Sequence, residues 1–274
     1  MRLKSFGECM VEFDQNMNIS IAGDTFNTCA AASLFGLECE YTMRVAEDIF
    51  YQHYLDFFKK FDIQMNLISG EGQNGIYFIS NDETGERSFQ YYRKNSAAST
   101  LSLDMLGSNY LDCDIFYNSG ITAALSPELN FALEQCYQKA KEQKIMTVYD
   151  VNFREKLWSQ EKAKKFLKKI ATNIDVLIIS EDDFAVVSGL NHPFIVKRQG
   201  PKGVSLIREG SEKKFTVKPI QALDTSGAGD VFTGAMLAHY MKKNQWEEAI
   251  EFAITIAGKH IQYLGALPRK ELLC

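Results

Sequence analysis

The chain has 274 residues, of which 46% are hydrophobic and 24% charged, and its formal net charge is -5. This composition is typical of a globular protein with a full core, arranged as one large α/β domain or two smaller ones. The mild acidity argues against a nucleic-acid partner, which needs a basic face, and no apolar run in the sequence reaches the length of a membrane span.

The six cysteines are scattered and form no C-x-x-C pair, so they predict neither a zinc site nor a redox motif. The beginning of the sequence also lacks the apolar segment of a signal peptide. Both observations favour free thiols in a reducing cytoplasm. The four histidines are isolated from one another and give no grouped metal ligands.

The first third of the chain predicts alternating strands and helices and then a hairpin. Apolar runs and periodicity predict a strand at 5–13, a helix at 26–35 ending before Gly36, a strand at 41–45 and a helix at 50–61. The segments 75–80 and 88–93 are aromatic and β-branched, and they flank a stretch at 81–87 that is rich in turn residues. This pattern predicts a hairpin that projects from the main sheet.

From residue 111 onward, strands and helices alternate regularly. Ser126 and Pro127 are the cap and first residue of a predicted helix that reaches about residue 143. The other predicted elements are strands at 115–118, 145–150, 176–180, 194–197 and 204–207, and helices at 161–173 and 249–262. This alternation predicts a largely parallel sheet, covered by helices on both faces, whose ligands bind at the carboxyl ends of the strands.

The segment 224–230, Asp-Thr-Ser-Gly-Ala-Gly-Asp, carries the strongest functional signal, and an apolar run at 231–241 follows it. Small residues at the start of a helix let backbone N–H groups approach a phosphate, and the helix dipole favours negative charge there. Asp230 stands where a carboxylate can accept a proton from an attacking hydroxyl. The segment therefore predicts phosphoryl transfer, although the P-loop, the dinucleotide fingerprint and the protein-kinase motifs are absent.

Residues 224–235 resemble the carboxy-terminal signature of the ribokinase-like (PfkB) carbohydrate kinases, and residues 7–8, 22–27 and Gly36 resemble the first signature of that family. Within the family the chain is most similar to the kinases of 2-keto-3-deoxygluconate, in segments 7–12, 23–28, 82–93, 150–154 and 157–158. The resemblance covers nearly the whole chain. It implies a single domain at 1–274, a three-layer α/β/α sandwich with a mostly parallel central sheet and a small projecting β-sheet lid, whose strands lie near 12–22 and 75–93.

The same resemblance implies the reaction and the residues that perform it. ATP would phosphorylate the 6-hydroxyl of 2-keto-3-deoxygluconate, with Asp230 as general base and the amides of Gly227, Ala228 and Gly229 as an anion hole. Substrate contacts are assigned to Gly23, Asp24, Asn27, Tyr77, Tyr91, Arg93 and Arg154, and the two arginines would bind the carboxylate. ATP contacts are assigned to Asn152, Ser180, Lys197, Gly200 and Gly203 with Gly227 and Gly229, and Mg²⁺ would accompany ATP, with Glu181 as a candidate contact through water.

Several alternatives stay open at this point. The protein could phosphorylate a neutral sugar such as fructose or ribose, or it could bind a sugar acid without catalysis. Asp230 could act only by stabilising the helix dipole, and the tyrosines could act only in hairpin packing. Residues 201–203 could be a surface turn. The short segment 184–196 predicts the loss of a crossover helix and leaves the local topology open. The aromatic hairpin edge predicts a homodimer through the lid sheet.

Overall fold

The computed structural model describes residues 1–81 and 87–273. Its strands are β1 (Arg2–Phe6), β2 (Met10–Phe13), β3 (Ile19–Ala22), β4 (Glu38–Ala46), β5 (Gln64–Gly70), β6 (Ile76–Asn81), β7 (Arg87–Tyr92), β8 (Ile115–Ser119), β9 (Met146–Asp150), β10 (Val176–Ile179), β11 (Phe194–Arg198), β12 (Val204–Arg208) and β13 (Ser211–Phe215). Its helices are α1 (Asp24–Leu34), α2 (Tyr51–Phe58), α3 (Gly120–Leu125), α4 (Pro127–Glu142), α5 (Gln160–Ile170), α6 (Phe184–Val187), α7 (Ala228–Lys243) and α8 (Trp246–His260).

The central sheet contains nine of the described strands, in the order β13-β12-β11-β10-β9-β8-β1-β4-β5. The strands from β11 to β5 pair in parallel, whereas β12 and β13 add an antiparallel edge. The predicted α/β fold with a mostly parallel central sheet is therefore confirmed. Because parallel strands share their direction, the carboxyl ends of β8, β9 and β10 lie along one edge, where polar residues can meet.

Helices cover both faces of this sheet and bury two separate cores. Successive strand residues point to opposite faces, so Tyr117 enters the core beneath α1, α7 and α8, whereas Phe116 enters the core beneath α4 and α5. The Phe116 ring packs edge-on against Tyr137 of α4 at 5.1 Å. At the start of α4, the Ser126 hydroxyl accepts the N–H of Leu129 at 3.2 Å, which confirms the predicted cap.

A second, four-stranded sheet in the order β3-β2-β6-β7 lies outside the central sheet, and we call it the lid. Strands β6 and β7 pair antiparallel, with Tyr77 opposite Tyr91, which confirms the predicted hairpin and its separation from the main sheet. Strand β2 pairs antiparallel with β3 and parallel with β6. Residues 82–86 of the predicted turn-rich stretch 81–87, with the first part of the 82–93 motif, lie outside the described residues.

Three predictions about the elements need correction. The run 5–13 is two strands, because residues 7–9 carry the chain from β1 in the central sheet to β2 in the lid. A continuous apolar run cannot reveal this change, since both strands are buried. Strands β5 and β13 were not predicted. The segment after β10 holds the single-turn helix α6, and β11 still pairs in parallel with β10, so the topology is intact.

Candidate active site

The glycine-rich loop forms a rigid entry to α7. Gly227 has a φ of +68°, and a Cβ there would lie 2.1 Å from the carbonyl oxygen of Ala266. Asp224 accepts the N–H of Ser226 at 2.9 Å and that of Gly265 at 2.7 Å. These contacts hold the loop in place, so the first N–H groups of α7, which lack partners within the helix, keep a fixed direction.

Asp230 lies in the first turn of α7, where it meets the start of α1. Its Oδ2 accepts a hydrogen bond from Asn27 Nδ2 at 2.9 Å, although the two residues are 203 positions apart. The two helices approach this closely because Gly234 has no side chain, since a Cβ there would lie 2.3 Å from the carbonyl oxygen of Thr28. The predicted base and the predicted sugar-binding loop are thus in direct contact.

The surroundings of Asp230 favour its protonated form. Burial raises the pKa of Asp230 to about 8, the charges of Asp24 and Asp150 add to the rise, and the Asn27 hydrogen bond and the Arg198 charge oppose it. A carboxylate with a pKa near the working pH can accept a proton during the reaction and release it afterwards. The geometry and the pKa both suit a general base.

The other predicted sugar-binding residues of the central domain join this cluster. Asp24 Oδ2 accepts hydrogen bonds from Ser119 Oγ at the end of β8 and from Asn152 Nδ2 at 2.9 Å. Gly23 leaves room for the backbone of Glu8, because a Cβ there would lie 2.2 Å from the Glu8 carbonyl oxygen. We predicted Asn152 as an ATP contact. In this structure it donates a hydrogen bond to the carboxylate of Asp24, a predicted sugar contact.

Two tyrosines of the lid face the same region. Their rings lie 5.4 Å apart across β6 and β7, and the hydroxyl of buried Tyr77 donates to the carboxylate of Glu12. Tyr91 is 43% exposed. Burial raises the pKa of Tyr91, whereas the charges of Arg93 and Arg154 lower it, so both guanidinium groups act on the Tyr91 hydroxyl.

The two predicted arginines differ in their partners. Arg93 Nε donates to Oε2 of the fully buried Glu8 at 2.7 Å, its Nη2 reaches the same oxygen, and Ser96 donates to the other one. Arg154 is exposed and donates from Nη1 to the carbonyl of Phe153 at 2.9 Å, and it has no ion pair within the described residues. Arg154 is therefore the more available cation for a ligand.

On the side of β11, adjacent residues point in opposite directions. Lys197 Nζ lies over the Phe184 ring at 4.5 Å, whereas Arg198 reaches the loop and donates from Nη1 to the carbonyl of Gly229 at 3.0 Å. In the following turn, Gly203 has a φ of +103°, and a Cβ there would lie 2.1 Å from the Phe215 carbonyl oxygen. Gly200 also has a positive φ, of +53°.

The remaining predicted ATP contacts have partners of their own. Ser180 donates from its N–H and its hydroxyl to Asp183, at 2.6 and 2.7 Å, and Glu181 pairs with Lys202 at 2.7 Å on the surface. Within the described residues, no three Asp, Glu, His or Cys side chains group as metal ligands. No described helix is both long and apolar enough to span a membrane.

Sequence reasoning missed the charged residues that support the site, namely Glu8, Glu12, Asp150, Asp183 and Arg198. Four of these five are buried or largely buried, and each binds a site residue or its neighbour. A charged residue at the end of a largely apolar strand is the sequence feature that could have identified Arg198. Asp150 lies in segment 150–154, which carries part of the family resemblance, but we assigned no role to Asp150 itself.

A buried carboxylate in the first turn of a helix, in contact with the polar side chain of Asn27, is the arrangement expected of a kinase of small hydroxylated molecules. The model of the pfkB family carbohydrate kinases matches residues 4–271, and the chain belongs to this family. It is 26% identical to 2-dehydro-3-deoxygluconokinase from Thermoproteus tenax, over 90% of this chain and 82% of the relative. The prefix 2-dehydro denotes the same compound as 2-keto.

Solved structures agree on the fold. The 2-dehydro-3-deoxygluconokinase of Thermotoga maritima superposes with a TM-score of 0.89 at 21% identity, over 97% of this chain and 95% of the other. A sugar kinase of Pyrococcus horikoshii in complex with ATP superposes with a TM-score of 0.88 at 20% identity, over 99% and 96% of the two chains. The predicted ribokinase-like fold is thus confirmed, and the protein is a sugar kinase.

Proposed function

We propose that this protein transfers the γ-phosphoryl group of ATP to the 6-hydroxyl of 2-keto-3-deoxygluconate. The observation that carries the proposal is the hydrogen bond between Asn27 and Asp230, which joins the sugar-binding loop to the phosphate-binding loop. A hydroxyl bound beside Asn27 would lie within reach of Asp230 and of the amides of 227–229. Asp230 would take the hydroxyl proton, and the amides would stabilise the charge that develops on the phosphoryl oxygens.

The sugar acid is favoured by the charges around the cleft. Its carboxylate needs a cation, and the available guanidinium of Arg154 lies close enough to Tyr91 to lower the pKa of that hydroxyl. Arg93 adds positive charge on the same side, although Glu8 binds two of its nitrogens. The names of the relatives support this substrate, and Tyr77, Gly23 and Asp24 would line the remainder of its site.

ATP would bind beside α7, over the turn that contains Gly200 and Gly203, with Lys197 and Ser180 nearby. Mg²⁺ would arrive on the nucleotide and neutralise charge between its β- and γ-phosphates. This ion keeps several waters and uses few protein carboxylates, so we expect it to need few protein ligands. Glu181, at the end of β10, is the carboxylate that we assign to it through water.

A neutral sugar such as fructose is the second candidate, because of the Glu8–Arg93 pair. Glu8 is fully buried and neutralises one of the two cations on which the choice of an acid depends. A site with one available arginine can accept a ligand without a carboxylate. A sugar-acid protein without catalysis is the third, and it would need an explanation for the raised pKa of Asp230.

The test is a coupled kinase assay with Mg-ATP over 2-keto-3-deoxygluconate, related sugar acids, fructose and ribose. We expect the highest kcat/KM for the sugar acid. Asp230→Asn should abolish turnover and preserve sugar-acid binding measured by calorimetry, whereas the exposed Asp56→Asn should leave both unchanged. Turnover retained by Asp230→Asn would remove it as the base, and equal kcat/KM for fructose would favour the second candidate.

We also propose that the protein is a cytoplasmic homodimer paired through the lid. Tyr92 on β7 is 49% exposed and Ile19 on β3 is 43% exposed, so the lid presents apolar surface. The five cysteines within the described residues are free, which fits a reducing compartment. Sedimentation at micromolar concentration tests the dimer, and a monomer under these conditions would contradict it.

A further inference from the structure

Arg198 connects three groups around the phosphate-binding loop. It donates from Nη1 to the Gly229 carbonyl at 3.0 Å and to Thr233 Oγ1 at 3.2 Å, and from Nη2 to Asp150 Oδ1 at 2.8 Å. Its side chain is 14% exposed. A planar guanidinium can hold three acceptors in fixed directions, which a single ammonium cannot.

The contact with Gly229 fixes the amide of Asp230, which directly follows the predicted anion hole at 227–229. The carbonyl of Gly229 and the N–H of Asp230 belong to one planar peptide, so a carbonyl held by Arg198 fixes the direction of that N–H. The bond to Thr233 ties the same guanidinium to the next turn of α7. Arg198 therefore anchors the start of α7 through Gly229 and Thr233, and its orientation affects the direction of the loop amides.

Asp150 holds Arg198 in turn. Its side chain is 1% exposed, its Oδ1 accepts from Arg198, and its Oδ2 has no hydrogen-bond partner among the described residues. Burial raises the pKa of Asp150 to about 6, and the charge of Arg198 opposes this rise. A buried carboxylate with one unpartnered oxygen is costly, so the pair needs a reason beyond stability.

We propose that Arg198, oriented by Asp150, is a positioning residue that aligns the loop amides at 227–230 and sets the charge around the base Asp230. The inference rests on the proposed function of Asp230 and extends it to two residues outside the predicted sugar and ATP contacts. The guanidinium of Arg198 fixes the loop through its hydrogen bond to Gly229. The opposite charges of Arg198 and Asp150 together determine how readily Asp230 loses its proton.

The charged and titratable groups that face this site come from several elements. They are Asp24 on α1, Tyr77 on β6, Tyr117 on β8, Asp150 on β9, Asp183 after β10 and Arg198 on β11. Arg198 is the cation whose charge acts directly on Asp230 in this group. Replacement of Asp150 by a neutral residue removes one negative neighbour and leaves the Arg198 charge uncompensated.

The first experiment is chemical rescue of the guanidinium. Arg198→Ala should lower kcat at least about tenfold and change the KM of the sugar less than about twofold, because the sugar contacts stay in place. Millimolar guanidinium, far below denaturing concentrations, should restore part of kcat. Arg208→Ala, the same change at an exposed arginine of β12, should show neither loss nor rescue. If Arg198→Ala does not fold, Arg198→Lys replaces it in this experiment. Arg198→Lys keeps the positive charge but not the planar guanidinium, so its kcat should also fall.

The second experiment is the pH profile of Asp150→Asn. The loss of a like charge lowers the pKa of Asp230, so the acid limb of kcat/KM should move to lower pH by about one unit, a tenfold change on that limb. A purely structural role of the pair would lower activity at all pH values and leave the limb in place. The inference would be overturned if the acid limb of Asp150→Asn did not shift. It would also be overturned if the kcat of Arg198→Ala equalled that of Arg208→Ala.

A readout without turnover separates this inference from the proposed function. The carboxyl carbon of Asp230, labelled with ¹³C and assigned through Asp230→Asn, reports its titration directly by NMR. If the wild type phosphorylates no sugar, the proposed function fails, yet the titration midpoint of Asp230 should still fall in Asp150→Asn. An unchanged midpoint in an active enzyme would overturn the inference and leave the kinase assignment intact.

Discussion

Gly227→Ala tests whether the loop is held as tightly as the structure indicates. The residue has a φ of +68°, which costs a non-glycine residue about 1–2 kcal/mol. The new Cβ would also lie 2.1 Å from the Ala266 carbonyl oxygen, so the two segments must separate by roughly 1 Å. Overpacking of this kind costs about 1–3 kcal/mol, which gives a total loss of about 2–5 kcal/mol.

Gly189→Ala is the matched control, because Gly189 has a φ of +76° and no atom within 4 Å of a Cβ placed there. It should lose only the backbone contribution, about 1–2 kcal/mol. For 274 residues the entropy of unfolding is about 0.6 kcal/mol/K, so each kcal/mol lowers Tm by about 1.7 °C. Gly227→Ala should therefore melt about 2–5 °C below Gly189→Ala in scanning calorimetry.

The kinase assay gives the second half of this test. Displacement of the loop would move the amides that we propose stabilise the phosphoryl group in transfer, so Gly227→Ala should lose at least about tenfold in kcat. Gly189→Ala should keep the wild-type value. Equal melting temperatures for the two variants would refute the close contact with Ala266. Full activity in a destabilised Gly227→Ala would refute the role of the loop amides.

Three further predictions address charge. Because burial raises the pKa of Asp230 to about 8 and a base must be ionised, kcat/KM should rise with pH and level off above about 8. Arg154→Ala should raise KM for sugar acids by about tenfold or more and leave it unchanged for neutral sugars, with exposed Lys156→Ala as control. Lys4→Met should destabilise by about 3–5 kcal/mol in urea, because Glu40 would lose the cation that lies 2.9 Å from it and keep only the Asn66 hydrogen bond, and Lys4→Met/Glu40→Leu should recover most of that loss.

The sequence was sufficient for most of the alternation of strands and helices and for the loop that precedes Asp230, because both depend on local patterns. Apolar runs predicted the central strands, and small residues before an apolar helix predicted the loop that precedes Asp230. The same logic could not detect the passage from β1 to β2, since burial is continuous through it. It also could not pair Glu8 with Arg93 or Asp150 with Arg198, which are 85 and 48 positions apart.

The hydrogen bond between Asn27 and Asp230 has a consequence for how the protein acquires activity during synthesis. A ribosome that adds about 5–20 residues per second needs roughly 10–40 s to pass from one residue to the other. Throughout that interval the growing chain has Asn27 without Asp230, its partner and the proposed proton acceptor. Asn27 lies in α1 and Asp230 in α7, so the two groups meet only when α7 has docked against α1. A folding intermediate without that contact would lack the proposed activity, even with its amino-terminal elements formed.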